Sequence, residues 1–256
     1  MNQVMEVLMK RKSVRAYEER EISAEVRAEI LKATLRAPTA GNLMLYSILD
    51  ITDQKLKDKL AVTCDHQPFI ARAPMVWVFL ADYQRWYDYF LASDVEGLCS
   101  RRGLTLEKPS ESDLFLACCD ALIAAQNAVI AAESLGLGSC YIGDIMEQYE
   151  THRELLNLPP YVFPIGMLVF GYPTQQQKDR EMTTRFDEKF IVFKDCYRRL
   201  DKEEFDEMFG KRKLPKGKGM EDVTNFGQVM YLNKFGADFS IEMRRSVREM
   251  LKAWRK

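Results

Sequence analysis

The sequence predicts an α+β fold with few strands and many helices. Four short apolar segments have the length and residue types of strands, whereas longer segments repeat their apolar residues at helical spacing. Hydrophobic residues make up 47% and charged residues 29% of the 256 residues, which is typical of a folded globular chain. A chain of this length buries enough apolar surface to fold without disulfides or a structural metal.

Capping residues and prolines predict the first elements. Met1–Lys12 has its apolar residues at helical spacing, and Arg11–Tyr17 then becomes extended. Ser23 is a good N-cap for the next helix, which ends before Pro38 because a proline disfavours helical conformation in the residue before it. Small residues at 38–42 indicate a loop.

The four predicted strands are Tyr46–Ile51, Met75–Leu80, Ser139–Ile142 and Pro164–Phe170. The second is a continuous run of aliphatic, β-branched and aromatic residues, so we expect it to be buried on both faces. A charged helix, Gln54–Thr63, is predicted between the first two strands.

The longest predicted helix, residues 112–135, is apolar almost all round. Its polar exceptions recur every seven residues and form one narrow stripe: Asp113, Asp120, Asn127 and Ser134. Such a helix must be covered on most sides, and we expect a second subunit to provide part of the cover. The final predicted helix, Ser240–Arg255, is amphipathic.

Charge and composition exclude several classes of protein. The chain has 37 Lys and Arg against 38 Asp and Glu, a net charge of −1, which argues against a nucleic-acid-binding protein. The longest apolar run, Ala73–Ala81, is too short to cross a bilayer, and the N-terminus lacks the pattern of a signal peptide. The six cysteines form no CxxC pair, so we expect reduced thiols and a cytoplasmic protein.

The residue types that are scarce also limit the chemistry. Only two histidines exist, and His152 lies in a polar helical stretch where we expect a surface position. The sequence contains no nucleophile elbow, no metal-ligand cluster, no dinucleotide fingerprint and no phosphate loop. If the protein is an enzyme, we therefore expect a cofactor, rather than a side chain or a metal, to be its reactive group.

Three segments have the character of a site for an anionic cofactor. In an extended chain Arg11, Ser13 and Arg15 share one face, and two guanidinium groups beside a hydroxyl suit a phosphate; a solvated basic patch is the alternative. The small-residue loop at 38–42 allows a flat ligand to approach, although an ordinary turn after a helix would look the same. Ser139–Asp144 turns from a strand into a helix, whose first amides attract anions.

Several motifs occur in the order and spacing of one family. They are RKSVRAY at 11–17, ATLRAPTAGN at 33–42, AQNAVIAAESLGLG at 125–138, YIGD at 141–144 and FPIGMLVFGYP at 163–173. Through them the chain resembles the FMN-dependent nitroreductase superfamily over about residues 1–200. The C-terminal residues resemble the extension of the oxygen-insensitive nitroreductase and NAD(P)H-flavin reductase branch.

The resemblance implies a nitroreductase-like fold, with a four-stranded antiparallel sheet among helices and a C-terminal arm whose strand joins the other chain. It implies a homodimer with two FMN sites at the subunit interface. Residues 1–200 would form the FMN-binding domain, and residues 201–256 an extension packed on the same fold or on the partner.

The resemblance also assigns cofactor-binding roles. Residues near the N-terminus would hold the phosphate and ribityl chain or reach the ring, and residues after the GYP motif would close on the phosphate. A glutamine and the end of a strand would contact the ring, and further contacts would come from the other subunit. The residues concerned are Arg11, Lys12, Ser13, Arg15, Lys178 and Arg180 for the first group, Gln67, Tyr141, Ile142 and Gly143 for the ring, and Thr39 and Asn42 from the partner.

The implied activity is a ping-pong reaction in which NAD(P)H passes a hydride to flavin N5 and a nitroaromatic, quinone or flavin acceptor then takes the electrons. Other reductive reactions on the same scaffold, such as dehalogenation or flavin destruction, and a non-enzymatic flavin-holding role remain open.

Residues 201–256 carry 13 basic and 10 acidic groups. Their basic run would grip the 2′-phosphate of NADPH or form a solvated loop: Lys211, Arg212, Lys213, Lys216 and Lys218. The aromatic segment 83–90 would form a lid over the flavin or pack in the core or the dimer.

Overall fold

The computed structural model describes residues 2–210, 212, 214 and 219–255. Its four strands are β1 (Tyr46–Asp50), β2 (Met75–Asp82), β3 (Gly138–Ile142) and β4 (Val162–Gly171). Its α-helices are α1 (Gln3–Lys10), α2 (Ala24–Thr34), α3 (Gln54–Thr63), α4 (Pro68–Arg72), α5 (Gln84–Ala92), α6 (Val95–Arg101), α7 (Glu111–Ser134), α8 (Tyr149–Leu155), α9 (Gln175–Asp179), α10 (Lys202–Phe209), α11 (Phe226–Met230) and α12 (Asp238–Trp254). The predicted α+β class and the predicted strands are confirmed.

The strands form one antiparallel sheet in the order β1-β2-β4-β3. All eight residues of β2 are buried, as the continuous apolar run predicted. β4 carries a proline inside the sheet, Pro164, and the register with β2 shifts beside it, between Phe79 and Leu80. A proline cannot donate a hydrogen bond to the ladder, so a sheet tolerates a proline at such an irregularity.

The two faces of the sheet bury two different groups of side chains. Met75, Trp77 and Phe79 of β2 pack on one face with the alanine-rich side of α7. Val76 and Val78 point to the other face, which α3 and α4 cover. This alternation follows from the two-residue repeat of a strand. The end of β3 lies on the second face, since Ile142 belongs to that cluster.

Helix α7 has one buried and one exposed apolar side. Six alanines from Ala117 to Ala132 are fully buried, whereas Phe115 is 70% exposed and Leu116, Leu122 and Ile123 between 40% and 48% exposed. In the described part of the chain α7 alone has the length and hydropathy of a membrane-spanning helix. A core helix passes the same test, and the alanine side of α7 packs on the sheet. The apolar character seen in the sequence therefore reflects a core face together with an uncovered second face.

The chain divides into two compact units, Met1–Arg180 with Glu242–Lys256, and Glu181–Ile241. The boundaries differ from the expected division at residue 200. The first unit contains the whole sheet. The second is built around an aromatic cluster in which Phe209 packs on Phe186 and Phe226, with ring centroids 5.3 and 6.1 Å away. None of its described residues forms a strand.

Candidate cofactor site

The predicted extended segment after α1 lies along the edge strand β3. The Val14 amide donates to the Ser139 carbonyl over 2.8 Å, and Ser13 pairs with Ser139 in a parallel bridge. A Cβ atom on Gly138 would lie 2.4 Å from the Val14 side chain, so the strand needs glycine there for the two backbones to approach. These contacts hold the segment in an extended conformation, which its alternating basic residues need in order to share one face.

The structure brings the segment 11–15 and residues 178–180 together, although more than 160 residues separate them. Lys12 Nζ donates to the carbonyl oxygen of Lys178 over 2.6 Å and also to that of Arg180. The Arg180 guanidinium in turn donates to the Ser13 carbonyl. The side chain of Lys178 points elsewhere, because its ammonium pairs with Glu18 at 2.9 Å.

We call Arg11, Lys12, Arg15 and Arg180 the basic cluster. Burial raises the pKa of the nearby Cys140 thiol, and three guanidinium groups of the cluster oppose that rise. The same field acts on Glu133, whose carboxyl is half-buried: burial raises its pKa to about 7, and Arg11 and Lys12 counteract the shift. The cluster is thus a region of strong positive potential beside β3.

Gln67, the predicted ring contact, lies at the end of β3. Its amide nitrogen donates to Asp144 Oδ2 over 2.7 Å and to the Cys64 carbonyl over 2.9 Å. A carbonyl can only accept, so the atom facing Cys64 is the nitrogen, and Oε1 is left as the acceptor for a ligand. The Arg15 guanidinium lies 5.9 Å from the ring centroid of Phe69, which joins this loop to the basic cluster.

The loop that carries Gln67 is anchored by a buried histidine. His152 Nδ1 hydrogen-bonds the Ile145 carbonyl at 2.9 Å, and Nε2 bonds the Thr63 hydroxyl at 2.7 Å. Nδ1 must be the donor to a carbonyl, and burial lowers the pKa of the ring, which favours its neutral form. The expectation of a surface histidine was wrong: His152 is fully buried, because Thr63 and Ile145 satisfy both nitrogens.

The remaining ring contacts predicted on β3 differ in their surroundings. Ile142 is buried, while Tyr141 is 37% exposed and its hydroxyl lies 3.4 Å from Gln126 Oε1. Burial raises the pKa of Tyr141 to about 12. Gly143 is exposed, and a Cβ atom there would have no neighbour closer than 4.0 Å. The surface over Gly143 is therefore open on this chain.

Thr39 does not join the basic cluster. Its hydroxyl donates to the buried carboxylate of Asp120 on α7 and accepts from the Met44 amide over 2.8 Å. Asp120 also accepts from the amides of Ala40 and Leu45, at 2.9 and 3.1 Å. One carboxylate therefore holds the whole loop, a role that the polar stripe on the predicted helix did not reveal.

Asn42 lies at the exposed tip of the same loop, with φ at +59°. The tip borders a small cavity of about 260 Å³ that α5 lines with Arg85, Trp86 and Tyr89. Trp86 Nε1 donates to the Leu43 carbonyl over 2.9 Å. The aromatic segment is thus a helix packed on this loop.

The basic run after α10 lies largely outside the described residues, namely at Lys211, Lys213, Lys216 and Lys218. Arg212 is described, and its guanidinium lies 5.3 Å from the ring centroid of Phe186 and 5.9 Å from that of Phe226. No group of three acidic, histidine or cysteine side chains suited to a metal occurs among the residues that the structure describes.

Comparison with known proteins decides the family. Residues 8–172 match the sequence profile of the nitroreductase family. The chain belongs to the nitroreductase family. An FMN reductase (NADPH) from Bacillus subtilis is 31% identical over 175 residues, which cover 68% of this chain and 67% of that protein. An oxygen-insensitive NADPH nitroreductase from Salmonella typhimurium is 30% identical over 220 residues, 85% of each chain.

Among solved structures, this nitroreductase-family chain superposes on the NADPH:FMN oxidoreductase from Vibrio harveyi complexed with NAD+. The TM-score is 0.78 at 23% identity, and the match covers 98% of each chain. At that identity the likeness shows the nitroreductase-like fold, including the C-terminal excursion. The predicted family and fold are confirmed.

Sequence reasoning missed several buried polar groups of this family member. Asp120 was visible only as one polar position among four, and Glu133 and Glu147 gave no signal at all, because a carboxyl on a helix or loop is ordinarily solvated. The Ser139 hydroxyl and one oxygen each of Glu133 and Glu147 are buried without a hydrogen-bond partner among the described residues. All three lie around β3, where the other predicted residues meet.

Proposed function

We propose that this chain is an NAD(P)H-dependent FMN oxidoreductase whose electron acceptors are nitroaromatics, quinones or flavins. One observation carries the proposal: hydrogen bonds of Lys12 and Arg180 gather the basic cluster beside β3, and the same strand leads into the turn whose Asp144 holds Gln67. Bound there, FMN would supply hydride transfer between NAD(P)H and the acceptor. The names of the relatives from Bacillus and Salmonella support the same activity.

The chain's own residues fit the phosphate end of FMN. A phosphate monoester carries close to two negative charges at neutral pH and accepts several hydrogen bonds. The basic cluster offers guanidinium forks and an ammonium group, and the Ser13 and Ser139 hydroxyls lie on the adjacent strands. The Ser139 hydroxyl is buried beside the Glu133 carboxyl. We infer that Arg11, Lys12, Ser13, Arg15 and Arg180 hold the phosphate and ribityl chain, with Lys178 beside them.

The other end of the site suits a flat ring. Gln67 presents a carbonyl oxygen and Gly143 an open backbone, Tyr141 is half-exposed on the adjoining strand, and the Ile142 side chain is buried beneath it in the core. We infer that these residues orient the isoalloxazine, and that the positive field of the basic cluster favours the reduced, more negative ring. The protein needs no acid or base side chain for this role.

We further propose a homodimer in which each chain completes the partner's site. The exposed side of α7 leaves Phe115, Leu116, Leu122 and Ile123 uncovered, and apolar helix faces of this size are covered in stable proteins. Thr39 and Asn42 lie on a loop fixed to the same helix through Asp120, so a partner seated on α7 would meet that loop. The C-terminal arm would contribute its strand to the same assembly.

The reductant and the setting are also proposed. We expect NADPH to be used in preference to NADH, since the basic run around Arg212 offers charges for a 2′-phosphate and both named relatives are NADPH enzymes. Six free thiols favour a cytoplasmic protein, and neither a nucleic acid nor a membrane is expected as partner.

The test is a coupled assay of cofactor and reductant. The purified protein is saturated with FMN, and oxidation of NADPH and NADH is followed with nitrofurazone, menadione or free FMN as acceptor. We expect turnover with all three acceptors, at a higher rate with NADPH than with NADH. High ionic strength should lower the rate with NADPH but not the rate with NADH. A protein that binds FMN but oxidises neither nucleotide would be a flavin-holding protein, and one that consumes its own flavin would carry out a different reaction.

A further inference from the structure

A buried carboxyl lies behind the Gln67–Asp144 hydrogen bond. Glu147 is 4% exposed, and its Oε1 has no donor among the described residues. The titratable and charged groups that face it are Asp144 on the turn after β3, Cys64 and Asp65 after α3, His152 on α8, and Glu242 on α12, which is paired with Arg245. The carboxylates among them repel a charge on Glu147, and the one cation of the set is held by Glu242.

Hydrogen bonds on both sides fix the backbone around Glu147. Ser246 on α12 accepts from the Tyr149 amide over 2.9 Å and donates to the Met146 carbonyl over 2.7 Å. Gln148 Nε2 donates to the Thr63 carbonyl over 3.1 Å, which ties the same segment to the Gln67 loop. A change at Glu147 must therefore be absorbed by the side chains around it.

Glu147 and Asp144 belong to one tight turn, in which the Glu147 amide donates to the Asp144 carbonyl over 3.0 Å. Their carboxyl groups face each other there, and two carboxyl groups can share a hydrogen bond only if one of them carries a proton. Asp144 Oδ2 accepts from Gln67, so at that oxygen Asp144 must offer a lone pair. Burial and the neighbouring Asp144 raise the pKa of Glu147 to about 8. The proton consequently belongs to Glu147 at neutral pH.

We propose that Glu147 is a positioning residue for the FMN site: its protonated carboxyl donates to Asp144, and Asp144 holds the Gln67 amide so that Oε1 is presented to the ligand. The inference rests on the proposed function, since Gln67 Oε1 has a role only if the ring binds there. Loss of the proton places two negative charges side by side and removes the donor that orients Asp144. The Gln67 amide then loses its fixed orientation, and the site binds FMN less well.

The test measures FMN affinity without turnover. Quenching of flavin fluorescence gives the dissociation constant of the full-length protein between pH 7 and pH 9, above the second pKa of the phosphate. In the wild type we expect the constant to rise about three- to tenfold across this range. Glu147→Gln keeps a neutral donor and should hold the pH 7 affinity throughout, whereas Glu147→Ala should show the weak affinity already at pH 7. Glu154→Gln removes an exposed carboxylate on α8, the helix that follows Glu147, and should follow the wild type.

The outcomes separate the inference from the function on which it rests. Parallel pH profiles in the wild type and Glu147→Gln would overturn the positioning role while leaving FMN binding in place. Failure of the wild type to bind FMN at any pH would overturn both. Thermal melts of the ligand-free variants establish that each is folded. If Glu147→Ala does not fold, the pH profile of Glu147→Gln decides: a flat profile supports the positioning role, and a profile that slopes like the wild type overturns it.

Discussion

Two carboxyl groups near β3 that are largely removed from solvent make the stability of the fold depend on pH. Burial raises the pKa of Glu133 to about 7 and that of Glu147 to about 8, against an ordinary value of 4.5. A group whose pKa is raised by folding stabilises the folded state fully below its unfolded value, and this contribution is lost as the pH rises through the folded value. The contribution of these two carboxyls to stability should therefore be lost between about pH 4.5 and pH 8.

The substitution Glu147→Gln removes one of these titrations, because an amide stays neutral over the whole range. The melting temperature of the variant should exceed that of the wild type by an amount that grows from about pH 5 to pH 8. We expect a difference of about 2–4 °C near pH 8, measured by differential scanning calorimetry without FMN. A difference that stays constant over this range would show that Glu147 is ionised in the folded protein.

Arg180 is the residue that joins the end of the GYP segment to Ser13. Arg180→Ala should weaken FMN binding about ten- to a hundredfold, because it removes one charged donor from the phosphate and loosens the segment 11–15. The dissociation constant is measured by fluorescence titration. Arg102→Ala, which removes an exposed arginine at the end of α6, is the matched control. Equal affinities of the two variants would exclude Arg180 from the site.

At the scale of elements, Asp120 couples helix α7 to the loop that carries Thr39 and Asn42. Its carboxylate is 2% exposed and accepts three hydrogen bonds from that loop. Asp120→Asn should lower the free energy of unfolding by about 2–3 kcal/mol, since an amide cannot accept all three and loses the charge. Urea unfolding measures the change. Ser134→Ala, from the exposed end of the same polar stripe, should leave stability within about 0.5 kcal/mol.

The uncovered face of α7 predicts the oligomeric state. Ile123→Glu places a charge in the proposed interface and should convert a dimer into monomers with weakened FMN binding, which light scattering after size exclusion and fluorescence titration measure. Val62→Glu, at an exposed apolar position of α3, should leave the dimer intact. A wild type that is monomeric at micromolar concentration would contradict the proposed assembly.

For the whole molecule, the sequence predicted those features that local patterns determine. Gln54–Thr63 was predicted with the observed bounds, and Ser23 caps α2 as expected, accepting from the Val26 amide. His152 and Asp120 were misjudged or missed because their partners, Thr63 and the 39–45 loop, lie about 80 residues away in the chain. The basic cluster depended on the family resemblance, since neither of its two segments alone indicates that they meet.

A crystal structure of the protein grown with FMN tests the proposed site directly, because it shows where the cofactor binds. We expect the phosphate within about 3 Å of the basic cluster, and the ring beside Gln67 Oε1 and Gly143. We also expect Asn42 from the partner chain at the same ring. FMN bound at another place on the protein, or a phosphate that touches none of Arg11, Lys12, Arg15 and Arg180, would contradict the proposed site.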